Sequence, residues 1–433
     1  MKSRLRIACT LILLVLHTVG CSQLPILRFL PAEETPTSLP LPTTTSSPVP
    51  TVNITQAPVR PVALRVWLPP EFNPEKNNEA GKMIRQRLDE FSQRRDVRID
   101  IRIKALDDSE GGMVNTLITA GAAAPLALPD VALMTRPVLE NATSKSLIYA
   151  FDEYVSPLND PDWYDYARQL VTLQGNTFGI PFAADAQVML YRSNLTSKPP
   201  RTWEAVLATK FPLLYPVGDP QALFTTTQIL SSGGSLQDTD NHPAFDLTTL
   251  TKVFTFYEQA QKGQQMPFWI TQYENDEQSY QAFLDNRSPL VITWVSRFLK
   301  EPPKDTAVSL VPTESGSSYS LVTGWNWTLT SPDPTRRAMA AELVKFLTLK
   351  EFTTLWTEKA GYLPTQKSAL IDWKNEEARL LADTIITAAH LPPSIEILNV
   401  ISPILKDASI QVLKNQSNAT KAAQYAIDKL KTP

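Results

Sequence analysis

The chain is poor in the residues from which most reactive sites are built. Its 433 residues hold two cysteines, Cys9 and Cys21, both within the first 21 positions. Everything beyond them is therefore without a disulfide or a thiolate metal site. After His17 the only histidines are His242 and His390, far apart in sequence. A histidine zinc site or catalytic dyad would need both, and packed or surface histidines are the plainer reading. Glycine is scarce, at 14 residues, and there is no Gly-x-Ser-x-Gly, His-Glu-x-x-His, P-loop or Gly-x-Gly-x-x-Gly pattern. The sequence thus lacks the usual local signatures of hydrolases, metalloproteases, nucleotide-phosphate cradles and dinucleotide sites. A formal net charge of −3 provides no basic face for nucleic acid.

What is present begins with proline, at 36 residues, many of them in one N-terminal tract. Ahead of that tract, Lys2, Arg4 and Arg6 precede a short apolar run from Ile7 to Leu16. This is the pattern of an export signal, too short for a comfortable membrane span. Thr18, Val19, Gly20 and Cys21 resemble a bacterial lipobox, with Thr18 where leucine is usual. Ordinary signal cleavage is the alternative. Lipidation of Cys21 is favoured because an otherwise cysteine-free exported chain has little other use for it. Residues 31–61, rich in Pro, Thr and Ser, cannot bury enough apolar area to offset ordering. They are expected to form an extended tether.

The remaining length exceeds what one hydrophobic core usually serves, so two lobes are expected. Val62, Leu64, Val66 and Leu68 alternate into a strand ending at Pro69 and Pro70. Ile84, Leu88 and Phe91 mark an amphipathic helix, residues 97–103 a half-exposed strand, and residues 130–134 a buried strand ending at Thr135 and Arg136. Strand, helix, strand, helix, strand implies a mostly parallel α/β sheet. In such sheets ligands bind beyond the carboxyl ends of strands. That rule points to Trp67, the Glu71–Phe72 loop and Arg136. Trp67 could equally be a buried edge tryptophan, and Arg136 a surface ion pair. A second short strand, Leu290 to Thr293, ends at Trp294. Thr202 is expected to cap a helix, and Asp333 another with Pro334 at its first position.

Residues 175–195 organise the whole. Gly175 and Asn176 read as a tight turn. Pro181 should confine the following strand to an edge or boundary, because proline cannot donate to a ladder. A lone carboxylate, Asp185, sits between two apolar half-strands. This reads as a strand passing from one body into another, with the acid facing a ligand.

The order of these segments resembles the extracellular solute-binding proteins of ABC importers, in the family that binds sugars and oligosaccharides. The resemblance rests on the lipobox and tether, residues 64–67, 129–133, 179–194, 202–204, 291–294, 324–325 with 341–347, and 361–365. Two departures are visible: Thr323 stands where a second glycine is common, and Ile292 with Thr293 where Gly-Pro is common. The resemblance implies an α/β, two-lobed periplasmic-binding-protein fold, type II-like, with three inter-lobe crossings at about 183–186, 322–326 and 361–365. It implies a lipoprotein signal in residues 1–21 and a tether in 22–61. One lobe would comprise 62–184 and 326–360, the other 187–322 and 365–433. It places Trp67, Arg136, Asp185, Trp294, Trp325 and Tyr362 at ligand contacts, with no catalytic residue, metal or cofactor. Its implied partners are a small carbohydrate, the permease subunits and the membrane, with the chain a monomer held outside the cytoplasm.

The residue types suit that task. Sugars offer apolar C–H faces and a rim of hydroxyls, so a cleft for them needs flat aromatic platforms with a few fixed polar groups. Trp67, Trp294, Trp325 and Tyr362 are candidate platforms, although Tyr362 could equally pack at a hinge. Trp327, Trp356 and Trp373 read as core. Two other readings stay open. One is a tethered sensor or adhesion module on the same fold. The other is a polysaccharide-cleaving enzyme, which would need two converging carboxylates; Asp107–Asp108 and Asp152–Glu153 are adjacent pairs, which usually splay apart.

Overall fold

The computed structural model describes residues 63–76, 78–107, 109–154 and 158–431, all within one unit, Arg60–Pro433. The signal, Cys21 and the tether through residue 61 lie outside the described residues, as does Asp108. In chain order the structure opens with β1 (Ala63–Leu68), α1 (Glu79–Arg95), β2 (Arg98–Ile103), α2 (Met113–Ala123), β3 (Val131–Thr135) and α3 (Arg136–Ser144). The helix α4 (Asp165–Val171), the short β4 (Thr172–Leu173) and β5 (Asn176–Thr177), and the long β6 (Ile180–Arg192) follow. Next come α5 (Trp203–Leu207), β7 (Leu213–Leu214), α6 (Leu223–Ser231), α7 (Leu247–Lys262), α8 (Asp276–Leu284), β8 (Leu290–Trp294), α9 (Ser296–Lys300) and β9 (Thr306–Ser309). The chain then returns through β10 (Ser320–Leu329), α10 (Pro334–Leu347), α11 (Lys350–Ala360) and β11 (Leu363–Pro364). It closes with α12 (Lys367–Ile371), α13 (Glu376–Thr387), β12 (Ala389–His390), α14 (Ile395–Leu413) and α15 (Ala419–Lys431).

The boundaries follow local chemistry. Asn78 caps α1 by accepting from the Gly81 N–H, and the buried Ile84, Leu88 and Phe91 form the predicted inward face. Thr202 caps α5, and Asp333 caps α10 with Pro334 at its first turn. β1 pairs in parallel with both β2 and β3. Among the described residues β2 has only β1 beside it, an edge position that accounts for its half-exposed pattern. The sheet order β2-β1-β3-β10-β6-β8-β7 runs through both lobes. α10 and α11 pack on α1, whereas α14 and α15 pack on α7.

β6 is the strand that joins the lobes. Over Ile180 to Ala186 it pairs with β10. From Gln187 to Tyr191 it pairs with β8, and from Met189 to Arg192 with β9. The partner changes immediately after Asp185 and Ala186. β11 adds a third strand at this place, opposite Ala183 and Ala184.

One local expectation needs correction. The tight turn before β6 is Gln174–Gly175, not Gly175–Asn176, with φ of 50° and 81° respectively. Two successive left-handed residues make a hairpin turn of the kind that suits strand twist. Pro181, the second residue of β6, lies at the boundary of a central strand, not at an edge. It is tolerated because it faces Asn326 where the β6–β10 register shifts between Trp325 and Asn326, and a bulge removes the need for a ladder donor. β10 runs unbroken through Gly324. A Cβ there would displace the Leu170 side chain and sit 3.0 Å from the Ala183 carbonyl oxygen, a close approach that favours glycine.

Candidate functional site

Where β6, β10 and β11 run side by side, a cavity of about 320 Å³ opens. Asp185 enters from β6, Thr323 and Trp325 from β10, and Tyr362 from the residue before β11. Glu71, on the turn after β1, also lines it. Asp276 of α8, Trp294 of β8, and Ser296, Arg297 and Lys300 of α9 complete the lining.

Asp185 is 4% exposed. Its Oδ1 accepts from the backbone N–H groups of Ala186 at 2.9 Å and Ser296 at 3.0 Å. Burial raises its pKa from 3.8 to about 6, and bonds from Ser296 and the charge of Lys300 oppose the rise. The carboxyl is thus poised to change protonation close to neutrality.

One wall is aromatic. Trp325 lies 4.8 Å from Tyr362 and 5.1 Å from Phe72 between ring centroids. Tyr362 is parallel to Phe72 and to Trp356 within 13°. Burial lifts the Tyr362 phenol well above its ordinary pKa, with Asp185 and Glu71 adding to the rise, so it remains a neutral donor. The Lys300 ammonium sits 3.9 Å from the Tyr362 ring centroid, a cation–π contact. Burial lowers the Lys300 pKa against the pull of Asp185.

The other wall is held by an ion pair. Asp276 Oδ2 accepts from Arg297 Nε at 3.1 Å and Nη2 at 3.0 Å, and its Oδ1 accepts from Thr293. Arg297 also pairs with Glu277 and lies over the Tyr280 ring. Burial nevertheless raises the Asp276 carboxyl, opposed by Thr293 and Arg297.

Four of the six residues singled out from sequence meet in this cavity: Asp185, Trp294, Trp325 and Tyr362. Arg136 does not line it. It borders an adjoining chamber of about 70 Å³ that shares Trp294 and Thr323 with the cavity, and it pairs with Glu140 at 2.7 Å. Trp67 is 1% exposed and lines neither space; in the sheet it pairs with Arg102 of β2 and Ala132 of β3. Lys104 approaches its ring at 5.3 Å. Trp327, Trp356 and Trp373 are buried, as expected. Sequence reasoning missed Asp276, Ser296, Arg297 and Lys300. The i, i+3 spacing of Arg297 and Lys300 on the helix after a strand mouth was the available signal. Among the described residues, the one group of three potential metal ligands, Asp238, Asp240 and His242, is exposed on a loop outside the cavity.

A cavity at three strand crossings, lined from both sides, defines a two-lobed binding architecture. Residues 86–381, more than half of the chain, match the bacterial extracellular solute-binding proteins, and the chain belongs to that family. A maltotriose-binding protein of Pyrococcus abyssi (strain GE5 / Orsay) is 22% identical over 197 residues, 42% of this chain and 42% of that protein. The aligned part is thus less than half the length of that relative. Among solved structures, maltose-bound MalE3 of T. maritima matches with a TM-score of 0.67 at 19% identity, over 86% of this chain and 99% of that one. An ABC transporter solute-binding protein of Thermotoga lettingae TMO, bound with alpha-D-tagatose, matches with 0.67 at 18% identity, over 85% and 98%. At such identities the likeness is one of fold: two α/β lobes.

Proposed function

We propose that the chain is an extracytoplasmic receptor that captures a carbohydrate between its lobes and delivers it to an ABC importer. The observation that carries this reading is the pairing of an aromatic wall, Trp325 and Tyr362, with the fixed acceptor Asp185 at the strand crossings. Trp294, Ser296, Arg297 and Lys300 complete the polar side. A sugar lays its C–H face on the rings and brings its hydroxyls to Asp185 and the opposite wall. Binding needs no chemistry. The ligand shifts an open–closed equilibrium by its preference for the closed form, and the permease reads that form. We assign residues 62–184 with 326–360 to one lobe and 187–322 with 365–433 to the other. The chain acts as a monomer, held at the membrane by a lipid on Cys21 and the tether of residues 22–61.

A thermal-shift series with maltose, maltotriose, tagatose, spermidine and a divalent cation tests the reading. Ligand at 100 times its Kd adds about 2.7 kcal/mol of stability, which raises the midpoint by several degrees. A shift with a saccharide is expected. No shift with any sugar, beside a clear one with the amine or the cation, would overturn it.

A further inference from the structure

The chamber beside the main cavity borders the β10 crossing at Leu321, Val322 and Thr323 and reaches outward from it to α3 and α14. α3 of the first lobe contributes Arg136, Pro137 and Glu140. The second lobe contributes Pro392, Pro393 and Leu398, around the start of α14. Glu140 spans the gap. Its Oε1 accepts from Arg136 Nε at 2.7 Å, and its Oε2 accepts from the Ile395 N–H at 2.6 Å. The Glu140 side chain is 9% exposed. Ile395 is the first residue of the 19-residue α14. Its N–H has no carbonyl partner within its own helix, as for any first-turn amide. A carboxylate there also meets the positive end of the helix dipole. The bond joins residues 255 apart in sequence, on elements whose other packing belongs to different lobes.

We propose that Glu140 is a positioning residue for lobe closure: steered by Arg136, it clasps the Ile395 N–H of the opposite lobe and closes one side of the cleft. Arg136, expected from sequence to touch ligand, acts instead by fixing the Glu140 rotamer. The proposal rests on the two-lobed receptor reading for its purpose, but its test uses no sugar, so the two fail separately.

The test compares ligand-free wild type with Glu140→Ala, Glu140→Gln and Ile395→Pro. Amide hydrogen exchange follows Ile395, and small-angle scattering follows the radius of gyration. Wild type should protect the Ile395 amide. Glu140→Ala should lower that protection about tenfold or more while amides in the middle of α14 stay protected, and should enlarge the radius. Glu140→Gln keeps an acceptor oxygen and should restore both readouts. Ile395→Pro removes the donor where proline suits a helix. Ser394 already has φ −56° and ψ 155°, the extended conformation a residue before proline requires. This variant should enlarge the radius as Glu140→Ala does, and it decides the matter if Glu140→Ala does not fold. Free exchange of Ile395 in wild type would overturn the proposal, as would wild-type scattering from both Glu140→Ala and Ile395→Pro.

Discussion

The two walls of the cleft are built by different physics. On one side Phe72, Trp325, Trp356 and Tyr362 hold one another by ring packing, with Trp356 1% and Tyr362 5% exposed. On the other, Asp276, Thr293 and Arg297 hold one another by directional bonds across 17 and 21 residues of sequence. Packing fixes a surface and bonding fixes points. A ligand with both a flat apolar face and a rim of hydroxyls uses both, which is why neither wall alone defines the site. The comparison also predicts that damage to the packed wall costs more. Ring removal leaves a cavity as well as a lost contact, whereas a cut ion pair beside a solvent-filled space is partly rehydrated.

The largest effect should therefore come from Trp325→Ala. Loss of a buried tryptophan costs about 3–5 kcal/mol, read as a lowered urea midpoint, and calorimetry should find saccharide binding reduced at least about a hundredfold. The matching change on the polar wall, Arg297→Ala, serves as the comparator and should cost about 1–3 kcal/mol. Equal losses in the two variants would refute the distinction drawn between the walls.

Asp185 belongs to both walls, and its substitution should move stability and binding in opposite directions. Burial holds its folded pKa at about 6, against 3.8 for the free group. Between those values the folded state binds more protons than the unfolded one, so stability falls as pH rises from about 4 to 6 and stays at its lower level above. A displacement of this size corresponds to about 3 kcal/mol. Asp185→Asn should abolish that slope and leave the protein more stable than wild type at pH 7 to 8. It should also weaken saccharide binding there, because an ionised acceptor is replaced by a neutral one. Wild-type affinity should decline below pH 6 as the carboxyl protonates. Denaturant midpoints across pH 4 to 8 check the first part and calorimetry the second. Parallel slopes in variant and wild type would show that Asp185 carries no such strain.

What could be read from sequence follows the range of the interaction. The caps at Thr202 and Asp333 were legible because a cap needs only three or four neighbouring residues. The crossing at Asp185 was legible because a lone acid between apolar half-strands marks a change of surroundings. Asp276 was not, since its partner Arg297 comes from a different helix. Glu140 was not, since its acceptor role depends on an N–H 255 residues away.

Trp67 and Trp294 bring this limit to a single pair. Trp294 closes β8 and Trp67 stands one residue before the end of β1, so both satisfy the rule that ligands gather at strand carboxyl ends. Their fates differ because of neighbours. β1 is flanked on both sides at Trp67. Beside β8, among the described residues, β7 pairs with Leu290 and Val291 and stops short of Trp294, and the Trp294 ring, only partly buried, borders the cleft. The smallest effect is therefore expected from Trp67→Phe, which should leave saccharide affinity within about twofold while lowering stability by roughly 1–2 kcal/mol through imperfect repacking. Trp294→Phe should do the reverse, weakening affinity severalfold with a smaller change in the unfolding midpoint, since a partly buried ring at the cleft has less burial to lose than one in the core. Calorimetry and urea unfolding on the two variants decide it. An affinity loss in Trp67→Phe matching that in Trp294→Phe would mean that β1 opens toward the ligand on binding, and the division made here between a core tryptophan and a cleft tryptophan would fall.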